Sequence, residues 1–485
     1  MQVEWIEAGE VIGNSGRVRG SSARTQYARL SIHDQSNLWA EAPDTPMHII
    51  AVLQLEPATL VDVQGNVEMA EICAGISRRL DRAPRLRQIV RRGGVLTGPP
   101  VWIDEVGFDL NRHVRAGTIP APGDEAELLK VVAWIDQQRL DRSHALWQLW
   151  LLTGLSSGRV VMVLKLHHAI ADGLAAVQLL ASLFDFGADG RGDDSPVRPW
   201  QPQKPPGRWS LVRENAATKA RKLTRGFGSI RRPVAAWRAG GTMFNALRFM
   251  LARARRAPRC SINHPIGPHR RLAVFRIPVD DAKAIAHAHA GRVNDLLLAL
   301  VTGGLRALLL QRGETIDGLK LLASVPVSMR HDSTLGNEVG AIIVPLPIDV
   351  AGGSDRLEAI VSATAAAKLA QSAAAGVMAF SVMARLGLAR LLSRRQRFVN
   401  VFITNVVGPP MPVYVLNSRL LDVIPVTPIA GNCAVGFAAL SYDGGLTITA
   451  VADADQVQDL DVVIRGMHAS WAALQSRRSG AEVAT

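Results

Sequence analysis

Cysteine is scarce in this chain of 485 residues: Cys73, Cys260 and Cys433 stand far apart and form no CxxC pair. They offer neither a disulfide framework nor a zinc knuckle, and a reducing compartment fits that usage. Long apolar runs are also missing, because no stretch reaches the ~18 residues expected of a membrane span. The opening Met-Gln-Val-Glu-Trp-Ile-Glu lacks the basic start and apolar core of a signal peptide, so the expectation is a protein in the cytosol or on a membrane face. Acidic residues are absent between Glu214 and Asp280, a stretch crowded with arginine, within a formal net charge of +13. That asymmetry calls for an anionic partner: nucleic acid, phospholipid head groups or the phosphates of coenzyme A. The stretch has no interleaved aromatics and no helix-turn-helix or RNA-binding signature, which ranks nucleic acid last.

Apolar residues, at 48%, dominate charged ones, at 20%, which excludes a disordered chain and supplies a packed interior. The length suits two large domains. Residues 1–26 are polar and aperiodic and read as a flexible extension. Met47 to Leu55 is a bounded apolar run suited to a buried strand, followed by a helical pattern from Val67 to Arg79. A second helix is expected over Glu125 to Leu140. Leu146 to Leu152 and Val160 to His168 read as strands joined by a hairpin turn at Gly154–Gly158. Beyond them Leu174, Val177, Leu180 and Phe184 recur at helical spacing, which puts Asp172 at an N-cap. Residues 186–208, rich in Gly, Asp and Pro, have the marks of a linker. The first domain is therefore expected over 27–188, a linker with basic amphipathic helices over 189–265, and a second α/β domain over 266–485. In that second domain Asn294-Asp295 caps an apolar helix, and Leu319 to Val327, Val339 to Ile348 and Val399 to Thr404 read as strands. Val435 to Ser441 and Leu446 to Val451 form a hairpin across Tyr442–Gly445.

The chemistry is concentrated in His167-His168-Ala169-Ile170-Ala171-Asp172-Gly173. Strand alternation turns the two imidazoles to opposite sides, so only one faces a given cleft, and the H-x-x-x-D spacing selects His168. An imidazole with a reference pKa near ~6.5 can take a proton from a hydroxyl at cytosolic pH, a contribution of about a hundred- to ten-thousand-fold in rate. Neither a G-x-S-x-G elbow nor a cysteine beside a histidine is read as a nucleophile, which argues against a covalent intermediate. Two other readings of the spacing stay open: a histidine pair serving as a core or hairpin contact, and a metal site for which no third ligand stands at local spacing.

The segment His167 to Gly173 resembles the HHxxxDG motif of the wax ester synthase/acyl-CoA:diacylglycerol acyltransferase family, related to chloramphenicol acetyltransferase and to peptide-synthetase condensation domains. Companion segments follow in the family's order: Pro46-Met47-His48, Asp141 to Trp147, Asn294-Asp295, Val325 to Arg330, Gly336-Asn337, Thr404 to Pro409 and Leu440 to Gly444. The match covers nearly everything after Leu30. Ala145 and Val407 stand where the family has prolines, which puts local turn geometry and acceptor preference in question.

The resemblance implies an α/β (α+β) fold of two chloramphenicol-acetyltransferase-like, condensation-domain-like domains with a channel between them. His167, His168, Asp172 and Gly173 would form the catalytic motif, with His168 as base and Asp172 as a structural anchor. Asn294, Asn405 and Gly408 would border the channel as substrate-binding residues, an alternative to plain capping and turn formation. No cofactor or metal is implied. Acyl-CoA is the co-substrate, and diacylglycerol or a long-chain fatty alcohol the acceptor. The basic stretch Lys219 to Arg259, notably Met243 to Arg256, and a second segment, Val377 to Arg397, are candidates for resting on an anionic membrane or lipid droplet. A non-catalytic lipid- or acyl-CoA-binding protein on the same scaffold, and an acyltransferase for a carrier-bound or polyketide-type alcohol, are the alternatives.

Overall fold

Two six-stranded sheets organise the chain. The computed structural model describes residues 27–94, 96–170, 179, 200–230, 257–328, 339–369 and 394–482. Its strands are β1 (His48–Leu55), β2 (Gln88–Arg91), β3 (Val101–Asp104), β4 (Val114–Thr118), β5 (Trp147–Thr153), β6 (Val160–His167), β7 (Arg270–Pro278), β8 (Lys320–Ser328), β9 (Val339–Pro347), β10 (Val401–Val407), β11 (Tyr414–Val415), β12 (Ser418–Val426), β13 (Val435–Tyr442) and β14 (Gly445–Asp453). The helices are α1 (Ile32–Ala40), α2 (Met69–Arg79), α3 (Glu125–Gln137), α4 (Arg208–Ile230), α5 (Val279–Ala288), α6 (Val293–Gln311), α7 (Gly353–Leu369) and α8 (Leu460–Glu482).

The first sheet runs β11-β12-β1-β6-β5-β4 and the second β7-β14-β13-β10-β8-β9, with β2 and β3 forming a separate pair. Strand β6 is buried along its whole length because both its faces are covered. Val161 and Val163 join the core that the two sheets share with α3, while Met162, Leu164 and Leu166 join the core on the opposite face. That double burial is why the segment reads as an unbroken apolar run. Lys165 is the exception. Its ammonium donates to Ile135 O (2.6 Å) and also to Gln138 O, at the end of α3, where the helix dipole favours a cation. Burial pulls its pKa down to about 8.

The two halves are interleaved. Strand β12 comes from the C-terminal part of the chain yet pairs antiparallel with β1, Ile50 opposite Val426, and so completes the first sheet. Helix α3 begins at an Asp124 N-cap that accepts from Glu127 N. It sends Leu128, Leu129, Val132 and Ile135 into a core shared with Phe275 and Ile277 of β7. Arg276 of β7 ties the parts together at the rim, bonding Glu125 (3.1 Å) and Asp422 of β12 (2.9 Å).

Several elements differ from their sequence-based bounds by a few residues. Helix α3 stops at Gln137, short of Leu140, with Gln138 extended as its C-cap. Strand β10 starts later and runs further than expected, through Val407. The turn Gly154–Gly158 joins β5 to β6 as expected, with left-handed backbone at Gly154 (φ +88°) and Gly158 (φ +75°). Its Gly-Leu-Ser-Ser-Gly string matches G-x-S-x-G, but it links two strands and presents no nucleophile elbow. Helix α6 is long and apolar enough to cross a membrane, although no such segment was expected; 72% of its apolar window is buried, and it is a core helix packed against α8. The helical segment 174–184, most of the linker, and the basic segments Met243 to Arg256 and 377–393 lie outside the described residues, apart from Leu179.

Candidate active site

Strand β6 ends at His167, and the chain turns there through His168, Ala169 and Ile170. His168 N donates to Met47 O (2.8 Å), which extends the pairing with β1 by one step, and Ile170 N closes the turn on His167 O (2.9 Å). The two rings then face different surroundings. His167 is fully buried. Its Nδ1 accepts from Ala169 N (2.9 Å), so the neutral ring carries its proton on Nε2, which points at Glu41 Oε1 (3.6 Å). His168 is half-buried, with the side-chain amide nitrogen of Asn37 3.2 Å from its Nδ1 and donating to its carbonyl oxygen at 3.2 Å.

Glu41, directly after α1, is a buried charge that gathers three separate motif segments. Its carboxylate accepts from Arg142 Nε (2.8 Å) and Nη2, lies 3.6 Å from Arg139, and faces His167 at 3.6 Å and His48 at 3.8 Å. Burial alone pushes the carboxyl up, but His167 and Arg142 overcome it and hold its pKa at about 2. His48, also fully buried, donates Nδ1–H to Asp136 O (3.0 Å), and burial pushes its pKa down. Glu41 Oε1, His48 Nε2 and His167 Nε2 converge without a protein hydrogen bond at normal distance. His167 cannot serve as a metal ligand in this tautomer, since Nε2 bears the proton. Among the described residues no group of three His, Cys, Asp or Glu gathers around a metal position.

The remaining sequence candidates belong to the second sheet and its flank. Asn294 is the second residue of α6 and half-buried, and the neighbouring Asp295 accepts from Arg292 N (2.8 Å) in the capping role. Asn405 is half-buried in β10, opposite Ala439 of the parallel strand β13. Gly408 follows β10, and its N donates to Ser441 O (2.9 Å). A Cβ there would stand 2.5 Å from Ser441 O, so only glycine permits this approach. Asp172 and Gly173 lie outside the described residues.

A model of the wax ester synthase/diacylglycerol acyltransferase catalytic domain matches residues 30–297, and one of the family's C-terminal domain matches 335–475. The chain belongs to that family. It is 30% identical over 449 residues to a probable diacylglycerol O-acyltransferase of Mycobacterium tuberculosis H37Rv, covering 90% of this chain and 93% of the relative. A putative diacylglycerol O-acyltransferase of Mycobacterium bovis is 31% identical over 420 residues, covering 81% and 79%. The structure is similar to the wax ester synthase/diacylglycerol acyltransferase of Marinobacter aquaeolei VT8, with a TM-score of 0.66 and 23% identity over 93% of this chain and 99% of that one. It is also similar to the first condensation domain of the CDA synthetase, with a TM-score of 0.54 and 13% identity over 93% and 97%. These likenesses give the fold: two chloramphenicol-acetyltransferase-like halves of mixed α/β structure.

Glu41, Asn37 and Arg142 are the residues around the histidine pair that the sequence reading did not single out. Arg142 sits inside the Asp141 to Trp147 segment, which marked the segment but not the side chain. Glu41 and Asn37 carry no local signal, because their partners lie far along the chain, 101 residues on for Arg142 and 131 for His168.

Proposed function

We propose that this member of the family transfers an acyl group from acyl-CoA to the hydroxyl of diacylglycerol, with long-chain fatty alcohols as a second acceptor class, and that His168 is the general base. The observation that supports His168 over its neighbour is the contrast in burial: His167 is enclosed and committed to Ala169 N and Glu41, while His168 is half-buried at the turn. His168 takes the hydroxyl proton as the alcohol oxygen attacks the thioester carbonyl. The C–S bond then breaks, and coenzyme A leaves as a thiolate that needs little acid assistance. No covalent enzyme intermediate forms. In this reading His167 supports the turn, and Asn294, Asn405 and Gly408 border the substrates, with an asparagine amide as a candidate oxyanion donor.

The experiment supplies long-chain acyl-CoA with diacylglycerol, a fatty alcohol or a carrier-bound alcohol, and follows free thiol and neutral lipid. His168→Ala is expected to lower the rate by about a hundred- to ten-thousand-fold. Near wild-type turnover would remove His168 from the role. Binding of acyl-CoA without thiol release in the wild type would favour the non-catalytic alternative.

The acceptors are insoluble, and we propose that the enzyme meets them on an anionic membrane face or lipid droplet on the cytoplasmic side. Helix α4, which leads into the basic stretch, supports this: it exposes Trp209 at 82% with Arg208 and Arg213, and then Lys219 and Arg221 at the start of the stretch. Sedimentation with anionic vesicles, weakening as salt rises and absent with zwitterionic ones, is the expected result. Equal sedimentation with both would count against it.

A further inference from the structure

We infer that the turn between β2 and β3 and the start of α4 form one docking face that seats the enzyme on an anionic phospholipid surface. The inference rests on the membrane reading above and names the part of the molecule that makes the contact. The turn is closed by Thr97, whose N (3.3 Å) and Oγ1 (2.8 Å) both donate to Gly94 O, and Leu96 stands on it 63% exposed. Trp209, in the first turn of α4, is 82% exposed. Single exposed apolar side chains are ordinary on a protein surface. These two are tied together: the buried Asn215 of α4 donates Nδ2 to Leu96 O (2.7 Å), and Trp209 precedes it on the same helix by about 9 Å along the axis.

The seam between turn and helix is fastened by side chains. Arg29 donates Nη1 to Thr97 O (2.8 Å) on the turn, and Nη2 to Leu211 O (3.4 Å) and Glu214 Oε2 (2.9 Å) on the helix. Tyr27 donates its hydroxyl to the same carboxylate oxygen (2.6 Å). Gly98, at φ +84°, passes where a Cβ would stand 2.7 Å from Asn215 Oδ1. The acid of the seam is thus taken up by Arg29 and Tyr27. Arg91 and Arg92, leading into the turn, and Arg208 and Arg213, flanking Trp209, are exposed. Tryptophan favours the boundary between acyl chains and head groups, and arginines beside it meet the phosphates there, so apolar tips with this charge fit an anionic bilayer. The same anchor reaches the histidine turn: Leu30 N donates to Pro100 O (2.9 Å), and Trp102 of β3 packs in one cluster with Leu30 and Ala169, the residue after His168.

The test uses the full chain and vesicles of phosphatidylglycerol and phosphatidylcholine, with the bound fraction read by sedimentation. Three double variants divide the face: Leu96→Ser with Trp209→Ser, Arg91→Gln with Arg92→Gln, and Arg208→Gln with Arg213→Gln. All six side chains are exposed, so each variant should melt at the wild-type temperature, which is the control for folding. An arginine near such a surface contributes about fivefold, so each arginine pair is expected to weaken binding about twentyfold. The serine pair is expected to weaken it about tenfold. The tryptophan fluorescence of the wild type should shift to the blue on the vesicles, and that of the serine pair should not. Wild-type affinity in all three variants overturns the docking face and leaves the membrane reading standing. Weakening by the arginine pairs alone, with no blue shift in the wild type, overturns it too, because the apolar tips then stay in water. A wild type that binds no vesicle ends both.

Discussion

The end of β6 and the end of β10 both carry family motifs, yet they are built by opposite means. At the end of β6 side chains gather around the turn: a buried carboxylate, two buried imidazoles and an arginine meet from four places in the chain, Glu41, His48, His167 and Arg142. At the end of β10 the backbone does the work, Gly408 lying against Ser441 with no room for a Cβ. A polar node of this kind orients rings and sets their protonation, but each member depends on its partners. A packing glycine fixes a path for the chain and leaves the electrostatics alone.

Glu41→Gln breaks the first arrangement and carries the larger expected effect. It keeps the shape but takes the anion from Arg142, whose side chain is 36% exposed and regains water, so the loss is that of charge-assisted hydrogen bonds, about 1.5–3 kcal/mol. A lowered Tm and a fall in kcat should both follow, read by thermal melting and thiol release. The same carboxyl predicts an acid limit to stability. Its folded pKa of about 2 lies below the ordinary 4.5, so its contribution is complete above pH ~4.5 and is lost as pH falls toward ~2. Acid unfolding of Glu41→Gln should show a shallower pH dependence across that window, and an unchanged profile would deny the carboxylate its place in the node.

Gly408→Ala tests the second arrangement with a smaller effect. The added methyl meets Ser441 O, and overpacking of this kind costs about 1–3 kcal/mol. A melting shift with unchanged KM marks Gly408 as a packing residue alone, whereas a rise in KM for the acceptor places it beside the substrate.

Much of this was legible in the chain itself. The run ending in His167 shows its double burial as continuous apolar character, and the motif order from Pro46 to Gly444 indicates the family. The hairpin of β13 and β14 is announced by Asp443-Gly444, both with positive φ. Strand β12 was not legible as a member of the first sheet. Its residues pair with β1 from the other half of the chain, and nothing in Ser418 to Val426 states which sheet it will complete. Helices α5, α7 and α8 were also not drawn from the pattern. Residues Gly303 and Gly304 of α6 and Gly466 of α8 let those two helices approach closely, a requirement that appears only once the helices are opposed.

By itself, then, the sequence determined many of the strands and helices at the heart of each half, and that the family motif sets a histidine pair at a strand end. Periodicity and motif spacing are local properties, written within a few residues of one another. Tertiary structure alone decided that the ring of His167 is enclosed, that Glu41 is the anion between it and Arg142, and that Asn37 meets His168. Burial and electrostatic partnership depend on which distant segments come to lie side by side.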